Sequence, residues 1–154
     1  MIFVSAQLTT FLLAMLPVTE LRGAIPLALG VYKLSAAQAL LWSVFGNLVP
    51  VFFLLLFLEP VAKYLGQKNY HLNLFFQWLF QRTRQKHSKR FALWGSLALI
   101  AFVAIPLPMT GGWTGSVAAF VFGVEFKKAF PLIALGVIIA GFIVTAASLG
   151  VLAL

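Results

Sequence analysis

Glu20 and Arg22 are the two charged residues among the first 32 positions, in an otherwise apolar segment. On translocon-based scales a charge near the centre of a membrane span costs about 2.5–3.5 kcal/mol, which makes such a residue a functional candidate. Arg22 keeps its charge and its fork of donors suits an anion. Burial favours the neutral form of Glu20 and a neighbouring guanidinium favours its anion, so the sequence leaves its protonation open. The two residues predict binding of a substrate or a proton. The alternative is that they only close a loop, or lie shallow enough to reach water.

The spacing of Glu20 and Arg22 sets a condition on the backbone. Residues i and i+2 lie on different faces of a helix but on the same side of an extended chain, so these side chains meet only where the helix is unwound. Pro17 and Pro26 flank the pair and favour unwinding. We predict an irregular stretch from Pro17 through Gly23, followed by a short helix with Pro26 in its first turn.

A second broken segment, Pro106-Leu-Pro-Met-Thr-Gly-Gly-Trp-Thr-Gly115, carries no charge. Its prolines disfavour helix, and Thr114 or Ser116 could cap a new short helix, with Trp113 as an apolar or cation-facing wall. Short helices starting near Ala24 and Ser116 would point positive dipole ends inward and favour an anion. The alternative is a tight break that only packs. The predicted substrate- or proton-binding residues are Thr19, Glu20, Arg22, Gly23, Pro26, Pro106, Pro108, Thr110, Gly111, Gly112, Trp113, Thr114 and Gly115.

The composition places these segments in a membrane. The chain is 62% hydrophobic and 9% charged, against about 45–50% apolar residues in soluble domains. Residues 34–58 and 129–154 are uncharged and exceed the roughly 20 residues that a transmembrane helix needs. Residues 91–124 are also uncharged, but one straight helix of that length would be far longer than the membrane is thick. This segment must therefore break or fold back.

The two broken segments resemble each other in sequence. Leu16-Pro17-Val18-Thr19 corresponds to Leu107-Pro108-Met109-Thr110, and Gly30-Val31 corresponds to Gly123-Val124. A lysine and a long apolar span follow each unit. Because the matching residues lie at the same places in two segments with the same order of apolar stretches, they predict an internal repeat.

Positive charges help to choose between two topologies. Seven of the eleven Lys and Arg residues lie in one loop, which predicts that residues 59–90 are cytoplasmic. Four full spans would leave Lys33, Lys127 and Lys128 outside, whereas two re-entrant hairpins would leave only Lys33 outside. The second arrangement obeys the positive-inside rule better. Hairpins that enter from opposite faces form an inverted repeat, and transporters of this plan bind substrate near the midplane.

The predicted fold is an all-α integral membrane protein with a single domain, residues 1–154, in the plasma membrane. It comprises hairpin 1 (1–33), a transmembrane helix (34–58), the basic loop (59–90), hairpin 2 (91–126) and a transmembrane helix (127–154). Within the loop, Asn73, Gln77, Gln81 and Gln85 recur every four residues among aromatic and apolar residues, which predicts an interfacial amphipathic helix.

Several kinds of site are not expected. The chain has no cysteine and two histidines, both in the loop, which argues against disulfides and metal sites. The membrane segments hold no carboxylate pair or Ser/His arrangement, so we expect no enzyme, catalytic residue or cofactor. The net charge of +8 reflects the loop and not nucleic-acid binding. No Lys or Arg precedes the first apolar run, so we expect a retained N-terminus. Expected partners are membrane lipids and a small-molecule or lipid substrate, with a homodimer possible.

Through Glu20-Leu-Arg-Gly-Ala-Ile-Pro26 and the segment 106–115, the chain resembles the small multidrug export proteins of bacteria and archaea over nearly its whole length. The resemblance implies a membrane protein that exports small molecules. The broken-hairpin plan is also similar to the DedA (SNARE-associated, VTT) proteins, which implies lipid-carrier translocation or proton-coupled transport. That group carries further arginines in its second half, whereas segment 106–115 here is uncharged.

Three functions are compatible with these features. The first is a secondary transporter in which Glu20 couples to protons and Arg22 orients an anionic group or Glu20. The second is a translocase of a phosphate-bearing lipid carrier, since an arginine and helix N-termini bind phosphate. The third is a non-transporting membrane assembly protein whose hairpins serve only packing.

Overall fold

A computed structural model describes residues 5–84, 89–107 and 110–153. Pro108 and the centre of the basic loop, 85–88, lie outside these ranges. The described residues form seven α-helices and no β-strand, which confirms the all-α prediction. The helices are α1 (Ala6–Met15), α2 (Glu20–Gly30), α3 (Ala36–Lys68), α4 (Tyr70–Arg84), α5 (Lys89–Ala104), α6 (Gly112–Val121) and α7 (Phe126–Leu152).

Two helices, α3 and α7, are long and apolar enough to cross a membrane. Only 28% of the most apolar stretch of α3 and 39% of that of α7 is buried inside the protein. The core helix of a soluble protein would be mostly buried, so these outward-facing apolar surfaces favour a lipid surrounding.

Helix α3 extends beyond its predicted end. Ser35 begins it with a capping box, in which its side chain and that of Gln38 satisfy each other's backbone N–H groups. The helix continues through Pro50 and Pro60 to Lys68 and so includes the first ten residues of the predicted loop. An exposed ion pair between Glu59 and Lys63, 2.7 Å apart, lies on this extension.

Helices α3 and α7 pack in antiparallel directions. The ring of Phe52 contacts the rings of Phe126 and Phe130 at the start of α7, at 5.5 and 6.0 Å between centroids. Gly141, later in α7, lies against Leu40, early in α3. The start of α7, with its two lysines, is therefore level with the second half of α3.

The first break, residues 16–19, reverses the chain between α1 and α2. A Cβ on Gly46 of α3 would clash with the Phe11 carbonyl and lie 3.0 Å from the Ala14 side chain, so the missing side chain lets α1 approach α3 closely. The opposite end of α2 reaches the end of α7, where Gly30 lies near Leu152. Helix α2 contacts both α3 and α7.

The second break, residues 105–111, separates α5 from α6 in a comparable way. Gly136 of α7 lies against Val103 and the Ile100 carbonyl of α5. Gly46 and Gly136 each stand ten residues after the first residue of their long helix. Helix α6 contacts both α3 and α7, and its Phe120 meets Phe76 of α4 at 6.5 Å between ring centroids. Helix α3 thus packs against the first broken pair (α1 and α2) at Gly46, and α7 packs against the second (α5 and α6) at Gly136, the glycine at the same position in its helix.

The core lies where α2 and α6 pack against α3 and α7. Its largest fully buried apolar side chains are Ile25, Val51, Val103, Ile133 and Val137. The predicted amphipathic helix is present as α4, where Tyr70 and Trp78 are exposed and Asn73 packs against Gly66 of α3. Its location at a membrane surface stays a prediction.

Candidate functional site

Glu20 is the first residue of α2 and is 6% exposed. The irregular stretch predicted from Pro17 through Gly23 ends at Thr19, because the helix begins four residues earlier than predicted, and Pro26 lies in its interior and not in its first turn. Glu20 has a φ of 45°, a left-handed conformation that is unfavourable for a residue with a side chain. Unfavourable backbone conformations of this kind concentrate at functional sites.

The left-handed backbone of Glu20 explains how it meets Arg22 within one helical turn. The Arg22 Nη2 atom lies 3.3 Å from Glu20 Oε2, and the two side chains are 24% and 7% exposed. In a regular helix residues i and i+2 face apart. Of the residues from Glu20 to Arg22, only Glu20 therefore departs from helical backbone angles, where the sequence predicted an unwound stretch.

Arg22 also connects the first break to the second. Its Nη1 atom donates a hydrogen bond to the carbonyl of Leu107, in the middle of the second break. One guanidinium thus binds a carboxylate from its own helix and a backbone carbonyl from the other break. Such a bridge uses the fork geometry of arginine, which a lysine ammonium lacks.

Glu20 supplies the acceptor that the N-terminus of α6 otherwise lacks. The N-cap residue is Gly111, which has no side chain to accept a hydrogen bond, and the Trp113 N–H donates to Glu20 Oε1 at 3.3 Å. The positive end of the α6 dipole is therefore next to this carboxylate. A Cβ on Gly111 would overlap the Glu20 carboxylate, so only glycine permits this approach.

The predicted capping by Thr114 or Ser116 is wrong. Helix α6 begins at Gly112, and both hydroxyls donate back to carbonyls of the preceding turn, Thr114 to Gly111 at 3.4 Å and Ser116 to Gly112 at 2.7 Å. The start of α6 does face an anion, which is the carboxylate of the protein's own Glu20.

Thr110 organises the second break. Its hydroxyl lies 2.6 Å from the Ile105 carbonyl and 2.9 Å from the Leu107 carbonyl, and it accepts the Leu107 N–H at 3.1 Å. These bonds satisfy backbone groups that no helix serves. They also fix the Leu107 carbonyl that Arg22 binds.

Replacement of Thr110 by valine should therefore lower the free energy of unfolding by about 1–3 kcal/mol, which is the loss of one donated and one accepted hydrogen bond. Thr114→Val is the matched control, because the Thr114 hydroxyl makes a single long bond. Thermal unfolding of the purified proteins in detergent compares the two. Equal destabilisation by both substitutions would contradict the organising role of Thr110.

Two further hydrogen bonds stabilise the breaks. The Trp113 indole Nε1 donates to the carbonyl of Met15, the last residue of α1, at 3.1 Å. The Thr19 hydroxyl donates to the Leu13 carbonyl and so closes the first break on itself. Trp113 therefore binds both sides of the first break, through its indole and through its backbone.

An open cleft of about 670 Å³ lies between the breaks. Glu20 and Arg22 form part of its polar floor, whereas Val18, which is 93% exposed, lies on an apolar rim. The lining residues are Pro17, Val18, Thr19, Glu20, Arg22, Gly23, Thr110, Trp113, Thr114 and Val117. The structure thus brings seven of the predicted site residues together around one space.

The other predicted site residues do not line this cleft. Gly111 and Gly112 are buried, and Gly115 packs against Val103 and Ile133. Pro26 is exposed and lines a separate small depression beside the end of α7. Pro106 is half-buried in the second break, and Pro108 lies outside the described residues.

Sequence reasoning missed two polar residues of α3, Ser43 and Asn47. Both are fully buried, and neither side chain has a hydrogen-bond partner within the described part of the chain. Their spacing of four residues in an apolar span could have identified them, because it places both on one face of a helix. Among the described residues no group of three or more His, Asp or Glu side chains could hold a metal ion.

Comparison with known proteins identifies one family. The family model described as putative small multi-drug export protein matches residues 20–143, which include Glu20, Arg22 and the whole second break. No curated protein and no solved structure matches the chain.

Proposed function

The chain belongs to the putative small multi-drug export protein family, and from this premise we propose that it is a proton-coupled secondary transporter that exports small amphipathic molecules through the cleft. The description of the family names export and no reaction, and it agrees with the apolar surfaces of α3 and α7. The cell membrane is the proposed location, with residues 59–90 in the cytoplasm.

One observation carries the proposal: the Glu20–Arg22 ion pair joins the two breaks at the floor of the cleft. Glu20 accepts the N–H of Trp113, and Arg22 binds the Leu107 carbonyl. A proton on Glu20 would weaken its attraction to both Arg22 and the dipole of α6. Protonation would thereby release the second break from the first, which couples proton binding to opening of the site.

We further propose that the two broken pairs are re-entrant hairpins of opposite entry, related as an inverted repeat. The equivalent positions of Gly46 and Gly136, and the contacts of both α2 and α6 with α3 and α7, support this relation. The antiparallel packing of α3 and α7 also supports it, because Lys127 and Lys128 then lie on the side of the basic loop. Non-helical backbone within a membrane needs protein or water around it, and the two breaks cover each other in part.

The cleft favours amphipathic substrates. Its floor presents a compensated ion pair and the Thr110 and Thr114 hydroxyls, whereas the exposed side chains of Val18 and Val117 that line it are apolar. A molecule with an apolar body and one polar group could enter sideways from the lipid and place that group on the floor.

Proteoliposomes test the proposal directly. Purified protein in vesicles with an imposed pH gradient should accumulate ethidium, an amphipathic cation, faster than protein-free vesicles do. Dissipating the gradient with a protonophore should remove the difference. Equal rates with and without protein, for ethidium and for tetraphenylphosphonium, would contradict this function.

A second function has one observation in its favour. Arginine side chains and helix N-termini bind phosphate, and both kinds of group lie at the cleft as Arg22 and the start of α6. The exposed apolar rim would allow the chain of a lipid to stay in the bilayer. A translocase of a phosphate-bearing lipid carrier would use the same groups after displacing Glu20. Flipping of a labelled polyprenyl phosphate in the vesicles, without ethidium transport, would favour this function.

A further inference from the structure

Two polar side chains in the core of α3 play no part in the bridge between the breaks. Asn47 is fully buried, and neither its amide oxygen nor its amide nitrogen has a hydrogen-bond partner among the described residues. Ser43, one helical turn earlier, is also fully buried with an unpaired hydroxyl. Buried polar groups without partners destabilise a protein and call for an explanation, such as a bound molecule.

Asn47 is directed at the start of α6. Its Oδ1 atom lies against the Cα of Gly112, where any side chain on residue 112 would overlap it. The preceding residue, Gly111, contacts the Glu20 carboxylate in the same way and provides no side-chain cap for the helix. Two adjacent glycines at one helix start thus meet a charged acceptor and an uncharged amide.

The buried side-chain groups of Asn47 and Ser43 that lack hydrogen-bond partners are uncharged. Asn47 offers two donors and an acceptor, and Ser43 offers both kinds of bond. The carboxylate at the same helix start, Glu20, is already bonded to Trp113 and Arg22. Two side-chain oxygens are too few for a hard cation, which takes six or more oxygen ligands. The set fits a neutral donor and acceptor group such as an amine, an amide or a hydroxyl.

We propose that Asn47 and Ser43 form an uncharged subsite, next to the start of α6, that binds a neutral hydrogen-bonding group of the transported molecule. This inference rests on the proposed transport function. Glu20 borders the cleft whereas Asn47 is closed off from solvent. Access to the subsite therefore requires the start of α6 to move away from Asn47, and the subsite receives the substrate after the polar floor does.

Binding of two probes to purified protein in nanodiscs tests the subsite. Ethidium carries two aromatic amines, whereas tetraphenylphosphonium has the same charge and no hydrogen-bonding group. Asn47→Leu, Asn47→Ala and Ser43→Ala should each raise the Kd for ethidium at least about tenfold, which is the loss of one good hydrogen bond. The Kd for tetraphenylphosphonium should change less than twofold. Thr145→Val is the matched control, because Thr145 is another buried hydroxyl without a partner in the described chain, and it should change neither.

Three results would overturn the subsite. If Asn47→Leu bound ethidium like wild-type protein and had a raised Tm, Asn47 would be a destabilising buried amide with no role in binding. Equal losses for both probes would assign the pair to packing or to a bound water. An equally large loss of ethidium binding in Thr145→Val would show that the effect is not specific to Asn47 and Ser43. The proposed function is contradicted by a different result. If wild-type protein binds ethidium through Asn47 but does not transport it, the subsite is supported and the transport function is wrong.

Discussion

A Glu20→Gln protein should lose proton-driven ethidium accumulation by at least about 100-fold, the lower end of what a positioned proton-transfer group contributes. The glutamine amide is uncharged like a protonated Glu20, so it should hold Arg22 and the start of α6 less strongly and let the breaks separate. The amide cannot take up a proton, and coupling is therefore lost. Exchange of ethidium across the membrane without net proton movement should persist, because it needs no protonation.

The control for this substitution is Glu59→Gln. Glu59 is exposed on the extension of α3, and its ion pair with Lys63 lies outside the cleft. Accumulation of ethidium by Glu59→Gln should equal that of wild-type protein. If Glu20→Gln accumulated ethidium at the wild-type rate in the same vesicles, Glu20 would have no role in coupling.

An Arg22→Ala protein should be both less stable and inactive. The substitution leaves the buried Glu20 carboxylate without its counter-ion and removes the hydrogen bond from Arg22 to the Leu107 carbonyl. Breaking a buried ion pair costs about 3–5 kcal/mol, and we expect about 2–4 kcal/mol here because Arg22 is partly exposed. Thermal unfolding of the purified protein in detergent measures this loss, and the vesicle assay measures the accompanying loss of transport.

Two further variants separate the bridge from simple charge. Arg22→Lys keeps the charge but cannot bind Glu20 and Leu107 in the same fork, so it should recover only part of the stability. Lys63→Ala removes an exposed cation and should change the free energy of unfolding by less than about 1 kcal/mol. Full recovery by lysine would contradict the bridging geometry. In the double variant Glu20→Gln with Arg22→Ala, the losses should be smaller than the sum of the single losses.

The course of the chain could be largely predicted from the sequence. The long uncharged runs predict α3 and α7, and the prolines and glycines of segment 106–115 predict the second break. These features are local, because hydropathy and proline chemistry act along a few turns of chain. The end of α3 was harder, since Pro60 and the charges after Leu58 suggest a boundary that the helix crosses.

The geometry of the site could be predicted only in part. The need for local unwinding at Glu20 follows from its spacing to Arg22, but its restriction to one left-handed residue does not. The capping of α6 by Glu20 joins residues 93 positions apart. A sequence pattern favours a local hydroxyl such as Thr114 for this role, whereas the packing of the two breaks supplies the carboxylate. The spacing of Ser43 and Asn47 places both on one helix face, but the contact of Asn47 with α6 could not be predicted for the same reason.

Thiol accessibility measures most directly whether the two breaks line one transport path. The chain has no cysteine, so Thr19→Cys and Thr114→Cys each introduce a single thiol at the cleft, and Ile139→Cys places one on the exposed apolar surface of α7. A membrane-impermeant reagent should label both cleft positions from one side of the membrane, and reversing the pH gradient should shift labelling to the other side. Ile139→Cys should stay unlabelled. Protection of both cleft positions from both sides, under either gradient, would contradict the transport path and leave the breaks as packing elements.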